Sequence, residues 1–253
     1  MHYQIDLNSD MGESFGAYKL GNDAEIIQYV TSANIACGWH AGDPMVMDRT
    51  VKAAAARGVA VGAHPGYPDL MGFGRRKMTL SPLETKNYVK YQIGALWAFA
   101  KSEGLKLQHV APHGSLGNLC QYDRETSRAI CEAVYEIDPS IIIYYCAGAV
   151  LGEEAKKLGL TAKSEIFADR AYMDDLSLVP RSMPGAMIMD ENIAIARCIR
   201  MVKEGKVTSL NGKELDIRGD TLCVHGDGAK ALAFVEKIRA AFTAEGIEIR
   251  NFQ

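Results

Sequence analysis

The sequence predicts a closed β/α barrel of seven or eight parallel strands, and three observations predict it. Strand-like apolar runs alternate with helix-like stretches along the chain, which argues for a parallel sheet. The length, 253 residues, is close to what one such barrel takes. Four of the six histidines, His40, His64, His113 and His225, directly follow strand-like runs, and so do Asp10 and Asp169. In a parallel barrel all such positions lie at one face, where barrel active sites occur. An open sheet also binds ligands at its carboxyl edge. Polar groups from six separate strands, however, converge only if the sheet closes into a ring.

The first strand is marked by Ile5 and Leu7 alternating with Asp6, Asn8 and Asp10. Residues two apart in a strand share a face, so Asp6 and Asn8 point inward and Asp10 marks the carboxyl end. Asn22 followed by Glu25 resembles a capping box opening a helix to about residue 30. The second strand is 32–37. Asp43 before Pro44 then starts a helix over 45–57, an N-cap carboxylate followed by proline. The third strand, 58–63, leads into a stretch that stays irregular to Ser81. Ser81, Pro82 and Glu84 make a capping-box sequence for a helix to about 103. The fourth strand is 107–112, and a helix over about 123–136 follows. The β-branched and aromatic run 141–146 is the fifth strand, trailed by a short helix over 151–158. The sixth strand, 160–167, precedes a long loop and a helix over 191–203. Asn211-Gly212 is a hairpin signal between 207–210 and 213–217. It reads as a small insertion at about 205–219 on a single barrel domain covering 1–253. The seventh strand is 221–224, the last helix about 229–244, and 247–252 offers one more short strand.

Bulk properties narrow the function classes. Hydrophobic residues make up 48%, enough for a large core. A net charge of −3 and a pI near 6.1 provide no basic footprint for nucleic acid. No run approaches the roughly 20 apolar residues that cross a bilayer. The amino terminus lacks the basic-then-apolar plan of a signal peptide. The six cysteines are scattered without a Cys-x-x-Cys pair. They are expected to be reduced thiols in a cytoplasmic protein.

The chemistry collects around residues 62–76. A strand delivers His64 into an ordered loop that also carries Asp69, Arg75 and Arg76. Irregular connections this long are usually functional or disordered, and Tyr67, Leu70, Met71 and Phe73 can pack. Parity places His64 with Gly62, His225 with Cys223, and His113 with a deeper His109. It also puts Lys163 and Glu165 on one face of the sixth strand. Histidines with carboxylates suit either a divalent metal or metal-free acid/base work. Asp10, His40 and either His64 or His225 are the metal candidates. There is no Gly-x-x-x-x-Gly-Lys-Ser/Thr phosphate loop and no Gly-x-Ser-x-Gly elbow.

At these same residues the chain resembles the lactam-utilisation family (LamB/YcsF type), whose members include the A subunit of bacterial 5-oxoprolinase. The resembling segments are 6–16, 33–44, 62–76, 112–114, 165–172 and 223–227, which follow in family order over nearly the whole chain. The resemblance implies a seven-stranded barrel of the glycoside hydrolase/deacetylase type. It also implies ATP-dependent opening of 5-oxoproline to glutamate, with 5-oxoprolinase subunits B and C as partners. The family pattern around the fourth strand reads roughly Val-Lys-Pro-His-Gly-Ala-Leu-Tyr-Asn. Here Ala111 stands for the lysine and Gly117 for the tyrosine, and Gly228-Ala229 replaces a later Asn-Pro.

Taken together, these readings assign proton transfer and water positioning to Asp10, His64, His113 and Glu165. Arg75 and Arg170 are expected to grip a substrate carboxylate bidentately, with Arg76 as a further cation. Asn8, His40 and His225 join the substrate contacts. Lys163 is expected to face inward near His113 and supply the cation missing at Ala111. Two other classes stay open: a stand-alone metal-dependent deacetylase or amidohydrolase, and a small-molecule binding subunit without turnover.

Overall fold

The computed structural model describes residues 2–224 and 231–252. The predicted site residue His225 lies outside the described residues, as do Asp227, Gly228 and Ala229. Strand β1 (Tyr3–Met11) is flanked in parallel by β2 (Ser32–Ala36). Then come β3 (Ala60–His64), β4 (Leu107–Val110), β5 (Ile142–Cys146) and β6 (Ala162–Phe167), each paired in parallel with the strand before it. An antiparallel hairpin, β7 (Lys206–Thr208) and β8 (Glu214–Asp216), precedes β9 (Thr221–Cys223). Because β9 pairs with both β6 and β1, seven parallel strands close into a barrel. A last strand, β10 (Ile247–Ile249), runs parallel to the amino-terminal part of β1.

Helices α2 (Pro44–Ala55) and α3 (Pro82–Ser102) begin where their capping residues predict. The Asp43 carboxylate accepts from the Met45 and Val46 amides, and Ser81 and Glu84 form the reciprocal box. α5 (Arg124–Ile137), α6 (Val150–Lys157), α7 (Glu191–Lys203) and α8 (Ala231–Ala244) complete the outer layer. Two elements differ from expectation. α1 is only Asp23–Ile26, because the Asn22 amide binds Glu25 rather than capping the backbone. Beyond β4 the chain enters a helix at once, α4 (Gly114–Leu119), which is not among the helices expected from the sequence.

The outward face of the strands is apolar: Ile5, Leu7, Ile35, Val61, Ala63, Val110, Ile143, Ile166 and Leu222 are buried in the core around the barrel. The inside of the barrel is polar instead. Asp6 accepts hydrogen bonds from the Thr31, Ser32, Tyr144 and Thr221 hydroxyls. Above it, the Asn8 amide donates to Thr221 Oγ1, and the Asn34 amide donates to Asn8 Oδ1 and Asp10 Oδ1. His109 Nε2 meets Asn34 Oδ1 at 2.7 Å. Buried polar groups are tolerable when each has a partner, and this column satisfies its members one through the next. At its lower end the Gln108 amide donates to the Phe252 carbonyl, and the Phe252 ring stands edge-on to Tyr144. No helix among the described residues is long and apolar enough to cross a membrane.

Candidate functional site

A cavity of about 660 Å³ opens at the carboxyl ends of the strands. Its wall includes Asp10 on β1, His64 on β3, His113 just past β4, Cys146 on β5, Glu165 on β6 and Cys223 on β9. Loops supply Glu13, Phe73, Arg75, Arg170 and Arg181. Strand parity explains the first group, since each is an inward-facing residue at or near a strand end.

His64 is the centre of the polar contacts. Its Nδ1 donates to the Ala111 carbonyl at 2.6 Å. Its Nε2 faces His113 Nδ1 at 2.9 Å and Asp10 Oδ1 at 3.3 Å. His113 Nε2 in turn donates to the Phe73 carbonyl at 2.9 Å. That carbonyl is aimed by an unusual backbone: Phe73 sits at φ +54°, a left-handed conformation that a bulky side chain adopts only when its surroundings impose it. The Asp69 carboxylate holds the loop in this shape, accepting from the Gly72 and Arg76 amides and from the Arg76 guanidinium. Arg76 therefore ties the loop together, and does not line the cavity.

Carbonyl oxygens only accept, so both outer ring nitrogens carry hydrogen. The two inner nitrogens, 2.9 Å apart, then need one positive charge between them. Electrostatics agree. Burial pulls His64 down, but the Asp10 and Glu13 carboxylates and the Ala111 carbonyl lift it to about 9. Burial and the His64 charge pull His113 down to about 3. His40 lies flat on His113, ring centroids 3.7 Å apart, with its Nε2 3.2 Å from Glu13 Oε1. Burial and its two histidine neighbours keep His40 neutral, well below the usual range. Glu13, His40, His64 and His113 thus bring four donor atoms within 4.8 Å of one another, a set that could hold a metal ion.

Across the cavity, Arg170 is 8% exposed. Its Nη2 donates to the Val179 carbonyl at 2.6 Å, and its Nε is buried without a partner among the described residues. Burial, with the nearby Arg181 charge, lowers its pKa, an environment that favours an anion. Arg75 stands at the mouth with its guanidinium over the Phe73 ring.

Four expectations need correction. Asn8 is fully buried below the cavity, its amide committed to Thr221 and Asn34. His40 sits beneath the loop rather than in the cavity wall, because Gly66 and Gly74 let the chain pass directly over its ring; a Cβ on Gly74 would come 2.7 Å from His40 Cβ. Lys163 faces inward but at the opposite end, its Nζ 4.5 Å from the Phe252 ring centroid. It lies two residues, about 7 Å, below Glu165 on the same strand. The metal candidates change too: Glu13 and His113 stand beside His40 and His64, and Asp10 falls outside the set. Glu13 is not among the predicted site residues; its signals are its place in the turn three residues after Asp10 and within the family-like segment 6–16.

A model of the LamB/YcsF family matches residues 5–253. A protein of Alkaliphilus metalliredigens, named as the A subunit of 5-oxoprolinase, is 57% identical over 247 residues, covering 98% of this chain and 96% of that one. The crystal structure of a lactam utilization protein from Thermus thermophilus aligns with a TM-score of 0.93 at 51% identity, over 98% of this chain and 100% of that one. The catalytic domain of a peptidoglycan N-acetylglucosamine deacetylase from Eubacterium rectale aligns at a TM-score of 0.52 and 10% identity, over 100% of this chain and 90% of that one. That last likeness is one of fold.

Proposed function

This chain belongs to the LamB/YcsF family, and from that premise we propose that it is the hydrolytic A subunit of a 5-oxoprolinase. In this reading it opens the ring amide of 5-oxoproline, or a related lactam, to the amino acid, with ATP as co-substrate of an assembly that includes subunits B and C. Its relatives are named for one subunit of an enzyme, which supports partner subunits. A stable amide ring explains the ATP. Phosphoryl transfer to the amide oxygen makes the ring carbon an imidate that water attacks more readily. Cleavage of the C–N bond then leaves an acyl phosphate, and its hydrolysis releases the amino acid and phosphate. This chain has no Gly-x-x-x-x-Gly-Lys-Ser/Thr phosphate loop.

The observation that carries the reading is the charged His64–His113 pair beside Asp10, facing a buried arginine across one cavity. The pair's positive charge offsets the negative charge of the phosphoryl group carried on the attacked carbon's oxygen. Asp10 takes the proton of the attacking water. Glu165, in the cavity wall, returns a proton to the ring nitrogen as it leaves. Arg170, with Arg75 at the mouth, holds the substrate carboxylate. The test is glutamate release from 5-oxoproline by the purified chain with subunits B and C, with and without ATP. ATP-dependent release is expected. Release by the isolated chain without ATP, or none from the intact assembly, overturns the reading.

A further inference from the structure

The charge between His64 and His113 can be a proton or a metal ion. A proton needs only the two nitrogens. Two more groups converge on the same point, however: Glu13 Oε1 lies 3.7 Å from His113 Nδ1 and 3.2 Å from His40 Nε2. With the 2.9 Å between the inner nitrogens, these spacings bracket the donor–donor distance of about 3.3 Å in a tetrahedral site with bonds of about 2.0–2.1 Å. The outer nitrogens of His64 and His113 each donate to a backbone carbonyl. That is how metal-bound imidazoles are fixed in tautomer and orientation. Imidazole with a carboxylate favours zinc, cobalt or nickel over calcium or magnesium.

We propose that His64 Nε2, His113 Nδ1, His40 Nε2 and Glu13 Oε1 form a binding site for one zinc-type divalent cation. The inference rests on the reading of this pocket given above for its place in the reaction, but its test reads binding alone. The four donors come from four different segments: the turn after β1, the loop after β2, the end of β3 and the start of α4. The ion would join these segments at the cavity's head. His40 is the weakest donor of the set, because its buried Nδ1 has no acceptor among the described residues to orient the ring.

The experiment is a titration of the chelator-stripped chain with Co²⁺, followed by displacement with Zn²⁺. One Co²⁺ per chain is expected, with the intense visible absorption of a four-coordinate ion that Zn²⁺ abolishes. Glu13→Gln and His113→Gln should each weaken binding about a hundredfold, and His40→Gln about tenfold. Circular dichroism checks that each variant folds. Because Glu13 lies in a turn outside the barrel strands, its variant tests the site even if a histidine variant unfolds. The absence of saturable one-to-one binding overturns the proposal, and so does equal affinity of Glu13→Gln and the unaltered chain. Neither outcome bears on glutamate release by the assembly, so the two readings fail separately.

Discussion

At Gly62 the lack of a side chain makes room for His109. A Cβ there would overlap the imidazole, which cannot move aside because it bonds Asn34 and stacks on Tyr144 at 4.0 Å. Gly62→Ala is expected to destabilise the protein by about 1–3 kcal/mol, seen as a lower urea midpoint at unchanged slope. Arg170→Lys keeps the charge and loses the planar fork. On the proposed reaction it should raise KM for the lactam ten- to a hundredfold with a smaller effect on kcat, measured by steady-state kinetics of the assembly. Single residues are legible in the sequence where a strand's period of two governs them. Asp10, His64 and Glu165 are read this way and reach the cavity wall. Parity fixes a face but not a height, which is why it points Lys163 toward His113 although the side chain lies at the other end. Loop residues have no period at all. Glu13 and the covered position of His40 depend on how the 65–81 segment folds over them, and nothing local in the sequence encodes that.

Among the elements, α6 is fastened to its neighbours by charge. The Glu154 carboxylate is buried and meets Lys157 at 2.6 Å, Arg124 at 3.0 Å and Arg128 at 3.1 Å. Lys157 first, then both arginines against the pull of burial, hold it down to about 2 from 4.5. A depressed carboxylate contributes stability that is complete above its unfolded pKa and is lost as pH falls through the folded one. Glu154→Gln should therefore lower stability by about 1 kcal/mol at pH 7, after screening of the half-exposed partners. The deficit should shrink below about pH 4.5 and vanish near pH 2, read from urea midpoints across that range. Elements with side-chain caps, α2 and α3, are legible because Asp43 and Ser81 act within a turn of themselves. α4 is not. Gly114 and Gly117 are poor helix formers, and the helix exists because Gly117 lets it pack onto the Pro112 carbonyl, where a Cβ would collide.

For the whole molecule, the closed barrel is legible because polar residues recur after strands that lie far apart in sequence, and only a ring gathers them. The polar interior is foreshadowed by Asp6 and Asn8 alternating with Ile5 and Leu7. Its completeness is not, since Thr221, Asn34 and His109 come from three other strands. That filled interior has a bearing on traffic. Between the reacting groups and the far end stand the Asn34, Asn8 and Asp6 layers, with Phe252 beneath them. No solute threads such a barrel. Among the described residues the chamber opens at the carboxyl ends of the strands, so a molecule entering and a molecule leaving must take turns at the same threshold. On the proposed reaction, the amino acid released should compete with the incoming lactam, raising its apparent KM in a linear competitive pattern. Any companion that hands over an activated ring must also step away from that threshold once in every cycle.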